Sequence, residues 1–116
     1  MPRVAVLLAE GFEEGEVLTV ADILRRAVMD ADLVSIAGQT VRGGHDIEVV
    51  ADTLLPDSLL DYDRVVLPGG IPGATNLRDD RVVAGVREMF DHGRWVTSIC
   101  AAAMVLGKAG VLDGHE

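Results

Sequence analysis

The chain has 116 residues, 49% of them hydrophobic, and carries 10 Lys+Arg against 19 Asp+Glu, a formal net charge of −9. That length allows one domain with a real core and argues against disorder. The acidity argues against a nucleic-acid binder, no apolar run is long enough to span a bilayer, and four aromatic residues are too few for a stacking platform. A single cysteine, Cys100, cannot form an internal disulfide, so a reducing cytoplasm is the default compartment. Met1-Pro2-Arg3 leads into a strand-like run without a signal-peptide layout.

In chain order, Arg3 to Ala9 is a short continuous apolar run, the pattern of a strand buried on both faces. From Glu13 to Met29 the spacing predicts a helix, with Val17, Val20, Ala21, Leu24 and Val28 on one face. Glu13, Glu14 and Glu16 fall in its first turn and Arg25 and Arg26 near its end, as the macrodipole favours. Asp32 to Ala37 reads as a second strand. Gly38 to Gly44 reads as a turn and Ile47 to Ala51 as a short strand, so this stretch is a hairpin-like excursion. Pro56 to Leu60 is expected to form a single helical turn. Asp63 to Leu67 is another buried strand, followed by Pro68-Gly69-Gly70 and a Gly- and Pro-rich loop to Asn76. A helix is expected from Asp79 to Asp91, closed by His92-Gly93 with glycine at C′. Arg94 to Ile99 is the next strand and Ala101 to Ala109 a further helix. This alternation predicts an α/β fold, a parallel sheet with helices on both faces. Val111 to Glu116 reads as the exit from a helix toward another strand, so the chain is expected to be an incomplete domain.

Cys100 is the main candidate for chemistry. It stands between a strand and a helix, where unpaired helical N–H groups favour a thiolate. Strand, nucleophile and helix in that order form the elbow of many hydrolases. The same position also suits a small buried hydrophobe. Gly69 and Gly70 follow a strand of the same sheet, on the edge where open parallel sheets bind ligands. Their amides suit a developing oxyanion, and equally an ordinary strand-ending turn. Glu16 follows the first strand onto that edge. Ionised, it would repel a thiolate; protonated, it would donate a hydrogen bond to one, and burial favours the protonated state. Its bland reading is a helix-start acid, like Glu13 and Glu14. His92 suits a helix C-terminus, His45 lies in the turn-rich excursion and His115 near the end, and none completes a triad or a zinc pattern. No metal site and no organic cofactor are read from the sequence.

Together these pieces resemble the ThiJ/PfpI superfamily and, within it, the Parkinson's-disease-associated protein deglycase family. The resemblance rests on VAVLLAEGFEEGE (Val4 to Glu16), TVADILRRA (Thr19 to Ala27), GGHDIEVVAD (Gly43 to Asp52), YDRVVLPGGIPGATNLRDD (Tyr62 to Asp80) and WVTSICAAAMVL (Trp95 to Leu106), in order across essentially the whole chain. It implies a flavodoxin-like fold, with residues 1–116 forming the N-terminal part of a single longer domain. By matching position, Cys100 resembles the oxidation-sensitive nucleophile and Glu16 the protonated glutamate bonded to its thiolate. Gly69, Gly70 and Ala101 resemble the amides that face the sulfur. The resemblance also implies a homodimer, with Glu13, Arg25 and Arg26 as interface candidates. The activity it implies is a cysteine-dependent glyoxalase or deglycase acting on methylglyoxal or its protein adducts without cofactor. A redox sensor or chaperone working through Cys100 oxidation, and a peptidase or amidase, are the alternatives.

Overall fold

The computed structural model describes residues 2–27, 29–69, 76, 77 and 79–98. In chain order these form β1 (Arg3–Leu8), α1 (Glu14–Arg26), β2 (Asp30–Ser35), β3 (Thr40–Arg42), β4 (Glu48–Val50), β5 (Thr53–Leu54), β6 (Arg64–Leu67), α2 (Asp80–Asp91) and β7 (Trp95–Ser98). Five strands make one sheet in the order β5-β2-β1-β6-β7, and every pairing in it is parallel. β3 and β4 form a separate antiparallel hairpin, the excursion expected between the second and third sheet strands.

β1 lies at the centre and shows why its sequence is apolar throughout. Ala5 and Leu7 pack with Val65, Leu67 and the α2 residues Val82, Val86 and Met89. Val4, Val6 and Leu8 pack with Phe12, with Val17 and Ala21 of α1, and with Val41 of the hairpin. Alternate residues of one strand thus feed two cores, one under each helix, as a strand period of two requires. Val17 and Ala21 are buried and Val20 and Leu24 partly so, which is the predicted face of α1; Val28 lies outside the described residues.

Several boundaries differ from expectation. α1 ends at Arg26, where Arg25 turns back to donate two hydrogen bonds to the Ala31 carbonyl at 3.2 and 2.9 Å. β2 starts at Asp30 because Asp30 and Ala31 pair with Arg3 and Val4. The expected turn at 38–44 contains β3, held by pairing with β4. Pro56 to Leu60 is not helical; Ser58 there accepts from the Leu60 amide and donates to Glu88. α2 keeps its predicted ends, with Asp79 as N-cap accepting from the Arg81 amide at 2.8 Å and Gly93 at φ +72° after the His92 C-cap. The helix expected at 101–109 lies outside the described residues.

The chain runs from β1 to β2 on one side and later returns to β6 on the other. The carboxyl ends of β1 and β6 therefore flank the point where strand order reverses, the usual place for a ligand crevice in such sheets.

Candidate functional site at the carboxyl edge of the sheet

The loop after β1 carries Glu10 to Glu13 into α1. Gly11 adopts φ +86°, which glycine reaches without steric cost. Phe12 turns inward and is 1% exposed, anchoring the loop on the α1 side of the sheet. The loop is then tied on both flanks. Gly11 donates to the Arg42 carbonyl and Gly44 donates to the Phe12 carbonyl, each at 2.8 Å, binding it to the hairpin. Asn76 donates through Nδ2 to the Glu10 carbonyl at 2.6 Å.

The other flank is the Pro68-Gly69 turn after β6. The Glu13 amide donates to the Gly69 carbonyl at 3.1 Å, and the Gly69 amide donates to Glu16 Oε2 at 2.9 Å. One residue thus gives both its backbone groups to the first turn of α1. Glu16, half-buried, is set beside the strand-ending glycine, although the two are 53 positions apart in sequence. The bond directs the Gly69 N–H at this carboxylate. Gly70, Cys100 and Ala101 lie outside the described residues.

The three glutamates at the head of α1 have three different roles. Glu13 is the N-cap, its side chain accepting from the Gly15 amide at 3.2 Å. Glu16 joins Gly69. Glu14 turns the opposite way and is only 3% exposed. Its Oε2 accepts from the His45 and Ile47 amides at 2.8 and 3.2 Å, and its Oε1 lies 3.0 Å from His45 Nδ1. Burial pushes its pKa up, but hydrogen bonds from its own amide, the His45 ring and amide, and the Ile47 amide outweigh burial, holding it near 2 against an ordinary 4.5. His45 is raised above the ordinary imidazole value, first by its bond to Glu14, then by the Glu13 and Glu14 charges.

In the sequence Glu14 looks like its neighbouring helix-start acids and His45 falls in a turn-rich stretch. No local spacing reveals the pair, because the partners are 31 residues apart. The one signal is Gly43-Gly44 ahead of His45. A Cβ on Gly43 would lie 2.2 Å from Glu14 Cδ, so only glycine lets the hairpin close over this carboxylate.

The interface candidates are engaged within the chain. Arg25 also pairs with Asp52 at 2.8 Å, and Arg26 with Asp22 at 3.0 Å. His92 lies at the end of α2, its Nδ1 2.9 Å from the Glu88 carbonyl, as its position in sequence suggests. Among the described residues, no helix is long and apolar enough to cross a membrane.

An open parallel sheet, sandwiched by helices, with a glutamate held at its switch point, defines a flavodoxin-like α/β protein with a site at the carboxyl edge. Comparison with known proteins sharpens this. The model of the DJ-1/PfpI family matches residues 2–116, and the chain belongs to that family. It is 37% identical over 114 residues to Protein dj-1beta of Drosophila melanogaster, covering 96% of this chain and 61% of that protein. It is 29% identical over 118 residues to a Thermococcus kodakarensis protein named a deglycase, covering 98% of this chain and 69% of the relative. Among solved structures, oxidized DJ-1 of Toxoplasma gondii superposes with a TM-score of 0.89 at 31% identity, covering 98% of this chain and 64% of the other. The chain thus spans under two thirds of the length of the Drosophila relative.

Proposed function

We propose that this protein processes reactive dicarbonyls such as methylglyoxal, or their early adducts on proteins, through Cys100 and without a cofactor. The observation that carries the reading is the bond from the Gly69 amide to Glu16, which sets a carboxylate on the carboxyl edge of the sheet. β6 and β7 pair in register up to Leu67 and Ser98, and Cys100 follows Ser98 by two positions, as Gly69 follows Leu67. The relative named a deglycase supports the same class of activity.

In this reading the Cys100 thiolate attacks the aldehyde carbon, forming a C–S bond, and the carbonyl oxygen takes up the proton of Glu16 to give a thiohemiacetal and an ionised glutamate. In the same reading the Gly70 and Ala101 amides serve the reacting centre, while the Gly69 amide holds Glu16. Glu16 receives the proton leaving the sulfur-bearing carbon and returns it to the neighbouring carbon, while the hydroxyl proton of the first carbon passes to the neighbouring carbonyl oxygen, producing a thioester. Water hydrolyses the thioester, releasing a hydroxy acid, lactate from methylglyoxal, and restoring the thiol. The whole protein acts as a cytoplasmic homodimer, with Leu18 and Ile23, both exposed on α1, and with Glu13, Arg25 and Arg26 contributing to the interface.

The test is the pH dependence of Cys100 alkylation in the full-length protein, with lactate formation followed alongside. The expected result is a thiol titrating well below the free value of about 8.5, shifted by Glu16→Gln, with turnover lost in Cys100→Ala and in Glu16→Gln. An ordinary thiol indifferent to Glu16 would overturn the reading. The second reading, a redox sensor, is favoured by the relative solved in its oxidized form. It predicts a product heavier by about two oxygens at low peroxide, with negligible turnover.

A further inference from the structure

The cluster of Glu13, Glu14 and His45 lies on the hairpin side of the first loop and takes no part in the chemistry proposed for Glu16 and Cys100. It draws on two separate elements. The loop and the head of α1 supply two carboxylates, and the β3–β4 turn supplies an imidazole. His45 Nδ1 lies 3.0 Å from Glu14 Oε1 and 3.9 Å from Glu13 Oε1, and one ligand atom from each residue falls within 4.8 Å of the others. From this geometry we infer that Glu13, Glu14 and His45 form a binding site for a divalent transition-metal ion of the zinc type.

The donor set selects the ion. One nitrogen and two carboxylate oxygens suit zinc or its neighbours, whereas calcium and magnesium seek more numerous, all-oxygen ligands. Bonds of about 2.0–2.1 Å in a tetrahedron place ligand atoms roughly 3.3 Å apart. The two histidine–carboxylate separations of 3.0 and 3.9 Å bracket that value. Glu13, two-thirds buried at its side chain, closes the difference through Oε1, the same oxygen that accepts from the Gly15 amide. Glu14 is preorganised. Its Oε2 is pinned by the His45 and Ile47 amides, so Oε1 faces His45 Nδ1, the support that ligating carboxylates receive from their surroundings. The cation takes the place of the proton on Nδ1, the ring keeps its proton on Nε2, and water fills the fourth position. Other charges nearby are Asp46 and Arg42, which pair with each other at 3.6 Å, and Glu48, which pairs with Arg42 at 3.2 Å. The positive end of α1 opposes a cation, and the two carboxylates outweigh it.

The experiment uses the full-length protein with Cys100→Ser, which removes sulfur as a competing ligand. Cobalt(II) is titrated as a visible-absorption probe and zinc by calorimetry. The expected result is one saturable equivalent per chain, a rise in melting temperature with zinc, and binding weakened about tenfold or more by His45→Gln and by Glu13→Gln. Glu13→Gln keeps an oxygen for the helix cap and so preserves the fold, which circular dichroism checks. Absence of saturable binding, or binding unchanged by both variants, would overturn the inference.

Discussion

Gly43→Ala adds one methyl group where the hairpin closes over Glu14. The added carbon would lie 2.2 Å from Glu14 Cδ and 2.4 Å from both Cγ and Oε2, well inside the 3.0 Å that real Cβ contacts respect. Ordinary van der Waals contact requires a shift on the order of 1 Å. The Glu14 side chain cannot move away cheaply, because two main-chain amides and the His45 ring hold it. The hairpin cannot move away cheaply either, because Gly43 donates to the Ile47 carbonyl at 2.9 Å and Gly44 to the Phe12 carbonyl. Forcing a methyl into such a contact costs about 1–3 kcal/mol, and with both sides pinned the upper half of that range is expected. The melting temperature should fall by on the order of 10 °C. Gly38→Ala is the control, since its nearest neighbour would be the Thr40 carbonyl at 3.9 Å. The assay is urea unfolding of the two variants beside the parent. Gly43→Ala combined with Glu14→Ala should cost less than the sum of the two changes, because the obstacle is gone. A Gly43→Ala protein as stable as the Gly38→Ala control would refute the buried seat of Glu14.

Two further outcomes follow from named contacts. Asp79→Ala removes the N-cap of α2 and a carboxylate kept below its ordinary pKa, first by its bond from the Arg81 side chain; the loss should be about 1 kcal/mol in denaturant unfolding, and no change would mean the cap contributes nothing. Stability should also depend on pH with opposite signs at its two ends. Glu14, lowered from 4.5 to about 2, stabilises fully above its unfolded value and loses that contribution as pH falls toward 2, whereas His45, raised, stabilises below its ordinary value of about 6.5 and loses that contribution as pH rises through its folded value. Melting temperatures from acid to mildly alkaline pH should show both declines, and His45→Gln should abolish the alkaline one; its persistence would contradict the pairing.

What could be read from the sequence follows from where the information lies. β1 and β6 are apolar runs largely buried by their neighbours, so composition alone marks them, whereas β7 exposes Trp95 and is marked by its place in the strand–helix alternation. α2 is marked by its closing Gly93, while the Asp79 cap shows only in the structure. β5 was invisible because Thr53 and Leu54 are both exposed and are a strand only through pairing with Val34 and Ser35. β3 was hidden among glycines, with Val41 its only buried residue. At the site, three nearly adjacent glutamates look alike as helix-start acids. The family resemblance singled out Glu16, and the structure sets it on Gly69. Nothing local distinguishes Glu14, whose partners belong to a hairpin that forms elsewhere in the chain.

The bond between Gly69 and Glu16 also bears on the order in which the molecule assembles. Its ends are separated by 53 positions, and closing a loop of that length costs about 3.5 kcal/mol in chain entropy by the logarithmic law. α1 and the β1–β2 pairing draw on nearer neighbours and can form first. The glutamate reaches its amide only when β6 has docked on β1, so the carboxyl-edge site arises with the last long-range pairing it depends on. In a nascent chain that has emerged only through β2, Glu16 has no Gly69 amide to hold.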